Sequence, residues 1–80
     1  MDSALIRGQV TGLLGTLLGR GLATTDQVLR TAEPRWDSLK HLELVFALED
    51  LFEIRLDPAE MAGLDSLEHI VAAVERHHAP

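Results

Sequence analysis

A serine flanked by Trp36-Asp37 and Leu39 stands at the head of the stretch Ser38 to Phe52, the most apolar helical stretch of the chain, which also carries Glu43, Glu49 and Asp50. A hydroxyl at the start of a helix lies beside backbone N–H groups that have no intrahelical partner. The helix dipole also favours a negative group there. Ser38 is therefore a good place to hang a phosphate-linked group, because the helix start stabilises a phosphodiester. The competing reading is purely local: Asp37 or Ser38 caps the helix and does nothing else. A second tripeptide of the same kind, Asp65-Ser66-Leu67, heads the last apolar-periodic stretch and offers the same choice. The two segments, DSLKHLEL and DSLEHIVA, share capping chemistry, which is too little to argue an internal duplication. Ser66 follows a short connection and its helix lacks an acidic face, so Ser38 is the preferred attachment residue.

Other chemistry is sparse. His41, His69, His77 and His78 are the only histidines, and no HExxH spacing occurs. They read as exposed helix-surface residues, with His77-His78 at a fraying terminus, so no metal site is expected. The absence of cysteine excludes a disulfide scaffold, a zinc finger and thiolate catalysis. No glycine pattern follows a strand, which excludes a phosphate-cradling loop. A serine nucleophile needs a base and an oxyanion hole in one pocket, and a chain of 80 residues has little room for all three. No catalytic residue is expected.

Charge divides the chain. Residues 1–36 hold three acids and four bases, whereas residues 37–80 hold ten acids and three bases, within a net charge of −6. An acidic half repels phosphate backbones, and Trp36, Phe46 and Phe52 are too few aromatics for a base-stacking platform. Nucleic acid is not an expected partner; a basic protein surface is, because complementary fields speed encounter. Asp2 precedes any apolar run, so no secretory signal is expected. The longest uncharged stretch, Gly8 to Gly19, has 12 residues and is too short to cross a bilayer. Gly8 and Gly12 form a GxxxG spacing without the apolar 20-mer that gives it meaning. The chain reads as cytoplasmic, monomeric and not membrane-inserted.

Helices must position Ser38. Ile6, Val10, Leu13, Leu14 and Leu17 follow helical spacing from about Ser3 to Leu18, with Asp2 or Ser3 as cap and Gly19 and Gly21 as the stop. Gly8, Gly12 and Gly15 each cost about 1 kcal/mol there, which packing must offset. Residues 19–36 form a long connection, in which Thr24, Thr25 and Asp26 cap a single turn through Val28 and Leu29, and Pro34 pushes Glu33 out of helical geometry. The second helix runs from Asp37 or Ser38 to about Phe52. Leu42, Val45, Phe46, Glu49 and Phe52 lie along one side, and Leu44, Leu48 and Leu51 widen the stripe. Asp57-Pro58 starts a short helix that Gly63 stops. Asp65-Ser66-Leu67-Glu68 reads as a capping-box variant, with Asp65 as cap, before a last helix through Leu67, Ile70, Val71 and Val74 to about Arg76. Two alternating apolar residues, Ile54 and Leu56, are too few for a strand. The expected fold is an all-α small four-helix bundle of three main helices and one short one, a single domain over 1–80, with a long loop between the first and second helices.

Asp37-Ser38-Leu39 followed by Leu42-Glu43-Leu44-Val45-Phe46-Ala47-Leu48-Glu49-Asp50-Leu51-Phe52 resembles the attachment site and second helix of acyl carrier proteins. The resemblance extends over nearly the whole chain, through the long loop, the short helix at Pro58–Ala62 and the closing helix. It implies a phosphopantetheine-bearing thioester carrier of the free-standing type, not an enzyme. Ser38 would carry 4′-phosphopantetheine covalently, taken from coenzyme A, with Asp37 and Leu39 completing the cofactor-binding motif. A chain without cysteine would then do thioester chemistry through a borrowed thiol. The implied partners are a phosphopantetheinyl transferase, an acyl- or aminoacyl-loading ligase or synthase, and downstream acyl-processing enzymes. The family's docking positions match Asp37, Leu39, Glu43, Phe46, Glu49 and Asp50. Two departures point away from housekeeping fatty-acid synthesis and toward polyketide, peptide-like or aminoacyl intermediates: Lys40 stands where fatty-acid carriers usually have acid, and Trp36 where a small or aliphatic residue is common. The helical period leaves Phe46 either in the core or as an exposed apolar anchor. The alternative to a carrier is a helical protein-interaction module with no prosthetic group.

Overall fold

The first helix begins where Asp2, in extended conformation, accepts a hydrogen bond from Ala4 N–H, and it runs as α1, Ser3–Leu18. It ends in a Schellman arrangement, with Gly19 at φ 71°. Gly19 N–H reaches Thr16 O at 3.3 Å and Arg20 N–H reaches Gly15 O at 3.0 Å. That closure requires Gly15, because a Cβ there would sit 2.8 Å from Arg20 O. Gly8 and Gly12 face open space instead, so no packing requires them.

A computed structural model describes residues 2–78 of the chain. Four α-helices follow in order: α1, then α2 at Ser38–Phe52, α3 at Pro58–Ala62 and α4 at Leu67–His78. One 3-10 turn, Arg30–Ala32, interrupts the loop between α1 and α2. The protein is therefore all-helical, as the periodicity predicts. α1 packs against both α2 and α4. Its buried stripe is Ile6, Val10, Leu14 and Leu18; α2 adds Leu44, Val45, Leu48 and Phe52; α4 adds Leu67, Ile70, Val71, Ala73 and Val74. Val28, Trp36, Ile54, Leu56 and Leu64 close the core from the connections. α3 buries no residue fully. Met61 packs half-buried against the core, and the start of the helix is fixed by a complete capping box between Asp57 and Glu60 with Pro58 at the first position.

Several expectations are corrected. On α2 the buried line is His41, Leu44, Val45, Leu48 and Phe52, whereas Leu42, Phe46 and Leu51 are exposed. The apolar residues of α2 outnumber those that α1 and the adjoining connections cover, so Leu42, Phe46 and Leu51 stay at the surface. In the loop, Thr24-Thr25 sit in a reverse turn closed by Asp26 N–H to Ala23 O at 3.0 Å, and the helical turn falls later, at Arg30–Ala32. Val28 and Leu29 cannot enter a helix because their segment pairs with the start of α4. Leu29 and Ser66 form an isolated antiparallel bridge, flanked by Arg30 N–H to Asp65 O at 2.8 Å and Leu67 N–H to Val28 O at 3.0 Å. The histidines at the end of α4 are helical rather than frayed: His77 Nε2 lies 2.8 Å from Glu60 Oε2, and His78 packs edge-on against Phe52.

Candidate functional site

The loop that delivers the chain to Ser38 is pinned along its length. Arg7 of α1 donates to Thr24 O and forks onto Glu68 of α4, with Nη1 3.0 Å from Oε2. That contact holds the Glu68 carboxyl below the usual carboxylate range. Arg20 pairs with Glu33 at 3.2 Å. Arg35 caps the carboxyl end of α1 through Leu18 O at 3.2 Å. Glu33 is extended before Pro34, as expected, and Trp36 N–H closes a turn onto Glu33 O at 3.0 Å. The turn puts Trp36 into the core and Asp37 at the mouth of α2.

Asp37 is the N-cap of α2, its Oδ1 accepting from Lys40 N–H at 2.9 Å, and its carbonyl accepts the first helical bond from His41 N–H at 2.9 Å. Ser38 is thus the first helical residue, not the cap. It is exposed, and its hydroxyl makes no hydrogen bond among the described residues. The N–H groups of Ser38 and Leu39 likewise have no partner there.

The other Asp-Ser-Leu segment is built one residue out of step. Ser66 itself caps α4, its Oγ accepting from His69 N–H at 3.0 Å and its carbonyl from Ile70 N–H at 3.1 Å. Ser66 is only 6% exposed, and Leu67 N–H, the first of that helix, is already bonded to Val28 O. Asp65 lies outside the helix and its carboxylate bonds His69 Nδ1, while Glu68 turns to Arg7 (the expected capping box with Asp65 as cap does not form). The cause is the bridge to Leu29, which holds the Asp65 carbonyl and the Leu67 N–H in extended pairing. No such pairing constrains Asp37.

The residues expected to dock partners are spread over one face of α2. Leu39 is 64% exposed and Phe46 63%, so Phe46 is on the surface and not in the core. Leu39, Glu43, Phe46 and Asp50 recur at helical spacing and are exposed or half-buried. Glu43 also pairs with Lys40, Nζ to Oε2 3.3 Å. Glu49 is engaged elsewhere: its Oε2 accepts from Leu56 N–H at 2.9 Å and ties the segment after α2 back to the helix.

His41 lies outside its expected place. It is buried at 9% exposure, with Trp36 Nε1 3.1 Å from its Nδ1 and the Met61 carbonyl 2.7 Å from its Nε2. Spacing alone could have flagged it, since His41 falls on the Leu44–Leu48 line of α2. No group of three or more His, Asp or Glu residues is placed to hold a metal ion among the described residues. No helix among them is long and apolar enough to cross a membrane. No protein-family model matches the chain, and no curated protein matches it. A functional reading therefore stands on these residues and their geometry.

Proposed function

We propose that the chain is a carrier protein that holds acyl or aminoacyl groups as thioesters on a 4′-phosphopantetheine arm attached to Ser38. The observation that supports this most is the contrast between two identical tripeptides. At Ser66 the hydroxyl and the first helical N–H are consumed by structure; at Ser38 both are free at the surface. A hydroxyl with no structural duty, at the positive end of a 15-residue helix, fits an anionic phosphodiester. When bound, the arm supplies the thiol that the chain lacks. Asp37 holds the helix start in place, and the unpaired N–H groups of Ser38 and Leu39 favour negative charge beside the ester.

The exposed stripe Leu39, Glu43, Phe46 and Asp50 supports a docking role toward the transferase, the loading ligase or synthase and the downstream acyl-processing enzymes. Apolar anchors set among acids suit partners with an apolar pocket and a basic rim. The test is incubation of the full chain with coenzyme A and a broad-specificity phosphopantetheinyl transferase, read by intact mass. A gain of one phosphopantetheine is the expected result. A chain that stays unmodified contradicts the carrier reading and favours a helical interaction module without a prosthetic group.

A further inference from the structure

Beneath Ser38 lies a buried polar chain that links three elements. The indole Nε1–H of Trp36 is a donor only, so His41 Nδ1, 3.1 Å away, must accept and carry no proton. The Met61 carbonyl is an acceptor only, so His41 Nε2, 2.7 Å away, must carry the ring's proton. The two partners together select one tautomer of a neutral imidazole. The rings also stack, with centroids 6.2 Å apart at 23°. Trp36 precedes Asp37, and His41 makes the first backbone bond of α2. The side-chain bond therefore closes a ring around Asp37–Lys40, the segment that presents Ser38. Through the Met61 carbonyl, the same imidazole holds the end of α3, a helix with no fully buried residue.

We propose that His41 is a positioning residue for the Ser38 segment and that its protonation releases Trp36. A solvent proton added to the Nδ1 lone pair leaves two N–H donors facing each other with no acceptor between them, so the Trp36 bond is lost. The Nε2–H bond to Met61 O survives and gains charge assistance. The release is thus one-sided: the loop leading to Ser38 is freed and α3 stays attached. The surrounding charges do not hold an imidazolium in place. On α2, the Asp37 carboxylate accepts from Lys40 N–H, and Glu43 pairs with the Lys40 ammonium. On α3, Glu60 is turned to His77, with Arg76 4.0 Å away. In the loop, Arg30 Nε sits 3.4 Å from Trp36 O and adds positive charge. No carboxylate forms an ion pair with His41 among the described residues.

The consequence for modification of Ser38 rests on the carrier reading; the latch does not. Trp36 is the sole tryptophan, so its fluorescence and its indole N–H resonance report this site alone. The full chain is followed from about pH 8 downward until the helical signal itself begins to fall, so that protonation of the buried ring is sought over the whole folded range. Far-UV circular dichroism follows the helices in parallel. The expected result is one reversible single-proton transition in the indole resonance, with emission moving to longer wavelength and helicity unchanged. In His41→Gln the carboxamide oxygen accepts from the indole and its NH2 donates to Met61 O, so the profile is flat at the neutral wild-type signal. In His41→Leu the released signal is expected at every pH. A flat wild-type profile, a transition that persists in His41→Gln, or one that coincides with loss of helicity overturns the proposal. If His41→Leu does not fold, the comparison of wild type with His41→Gln still decides. The rate of Ser38 modification should follow the same pH profile in wild type relative to His41→Gln. Absence of modification at every pH in both overturns the carrier reading and leaves the latch to the optical result.

Discussion

Two phenylalanines on one helix separate surface from core in a single experiment. Phe46 is 63% exposed and Phe52 only 3%. Fully burying a phenylalanine is worth about 1.5–3 kcal/mol, so the buried third of Phe46 contributes about 0.5–1 kcal/mol. Alanine recovers roughly 0.5 kcal/mol of helix propensity at an exposed position. Phe46→Ala should therefore change stability by no more than about 0.5 kcal/mol. Phe52→Ala removes a filled core site and should cost about 3–5 kcal/mol. In a domain of this size 1 kcal/mol moves the melting temperature by about 4–8 °C, so the two variants separate clearly. Urea denaturation followed by circular dichroism at 222 nm measures both, with Phe52→Leu as a milder control should Phe52→Ala not fold. Loss of about 3 kcal/mol in Phe46→Ala would refute the surface assignment and, with it, the role of Phe46 as an apolar anchor. If the assignment holds, Phe46→Ala should slow loading by a partner enzyme while leaving the fold intact.

The glycines of α1 should divide the same way. Gly12→Ala, facing open space, is expected to raise stability by about 0.5–1 kcal/mol, whereas Gly15→Ala should lower it because its Cβ meets Arg20 O at 2.8 Å; denaturant midpoints report both. Glu49→Ala should cost about 1–3 kcal/mol by orphaning the Leu56 N–H, a stability effect that marks Glu49 as a tether. Reversal of Glu43 and Asp50 to Lys should leave the melting temperature nearly unchanged but slow the transferase, and added salt should slow the wild type. Equal transferase rates in the double variant and at both salt concentrations would show that this face is only solvated.

The sequence makes the helices legible because their signals are local. Asp2, Asp37 and Asp57 cap where their spacing predicts, Pro58 opens α3, and Gly19 and Gly63 close α1 and α3. What is not legible depends on distant pairing. The cap of α4 shifts from Asp65 to Ser66 because the Leu29–Ser66 bridge, formed with a segment far away in the chain, ties the Asp65 carbonyl to Arg30 N–H. His41 is polar by type yet buried, since its two partners, Trp36 and Met61 O, come from a loop and from α3. The exposure of Phe46 follows from how many neighbours cover α2, which a helical period does not state. Ser38 itself is readable from its motif, but the freedom of its hydroxyl is visible only beside the engaged hydroxyl of Ser66.

The proposed attachment at Ser38 is tested most directly by treating three chains with coenzyme A and a broad transferase: wild type, Ser38→Ala and Ser66→Ala. Each is read by intact mass and peptide mapping, with thermal melts alongside. Ser66→Ala should melt lower, by the about 0.5–2 kcal/mol that a lost serine cap costs, and still gain one phosphopantetheine on the peptide holding Ser38. Ser38→Ala should melt like the wild type and gain nothing. Modification of Ser38→Ala, or a modified peptide containing Ser66, would contradict the account.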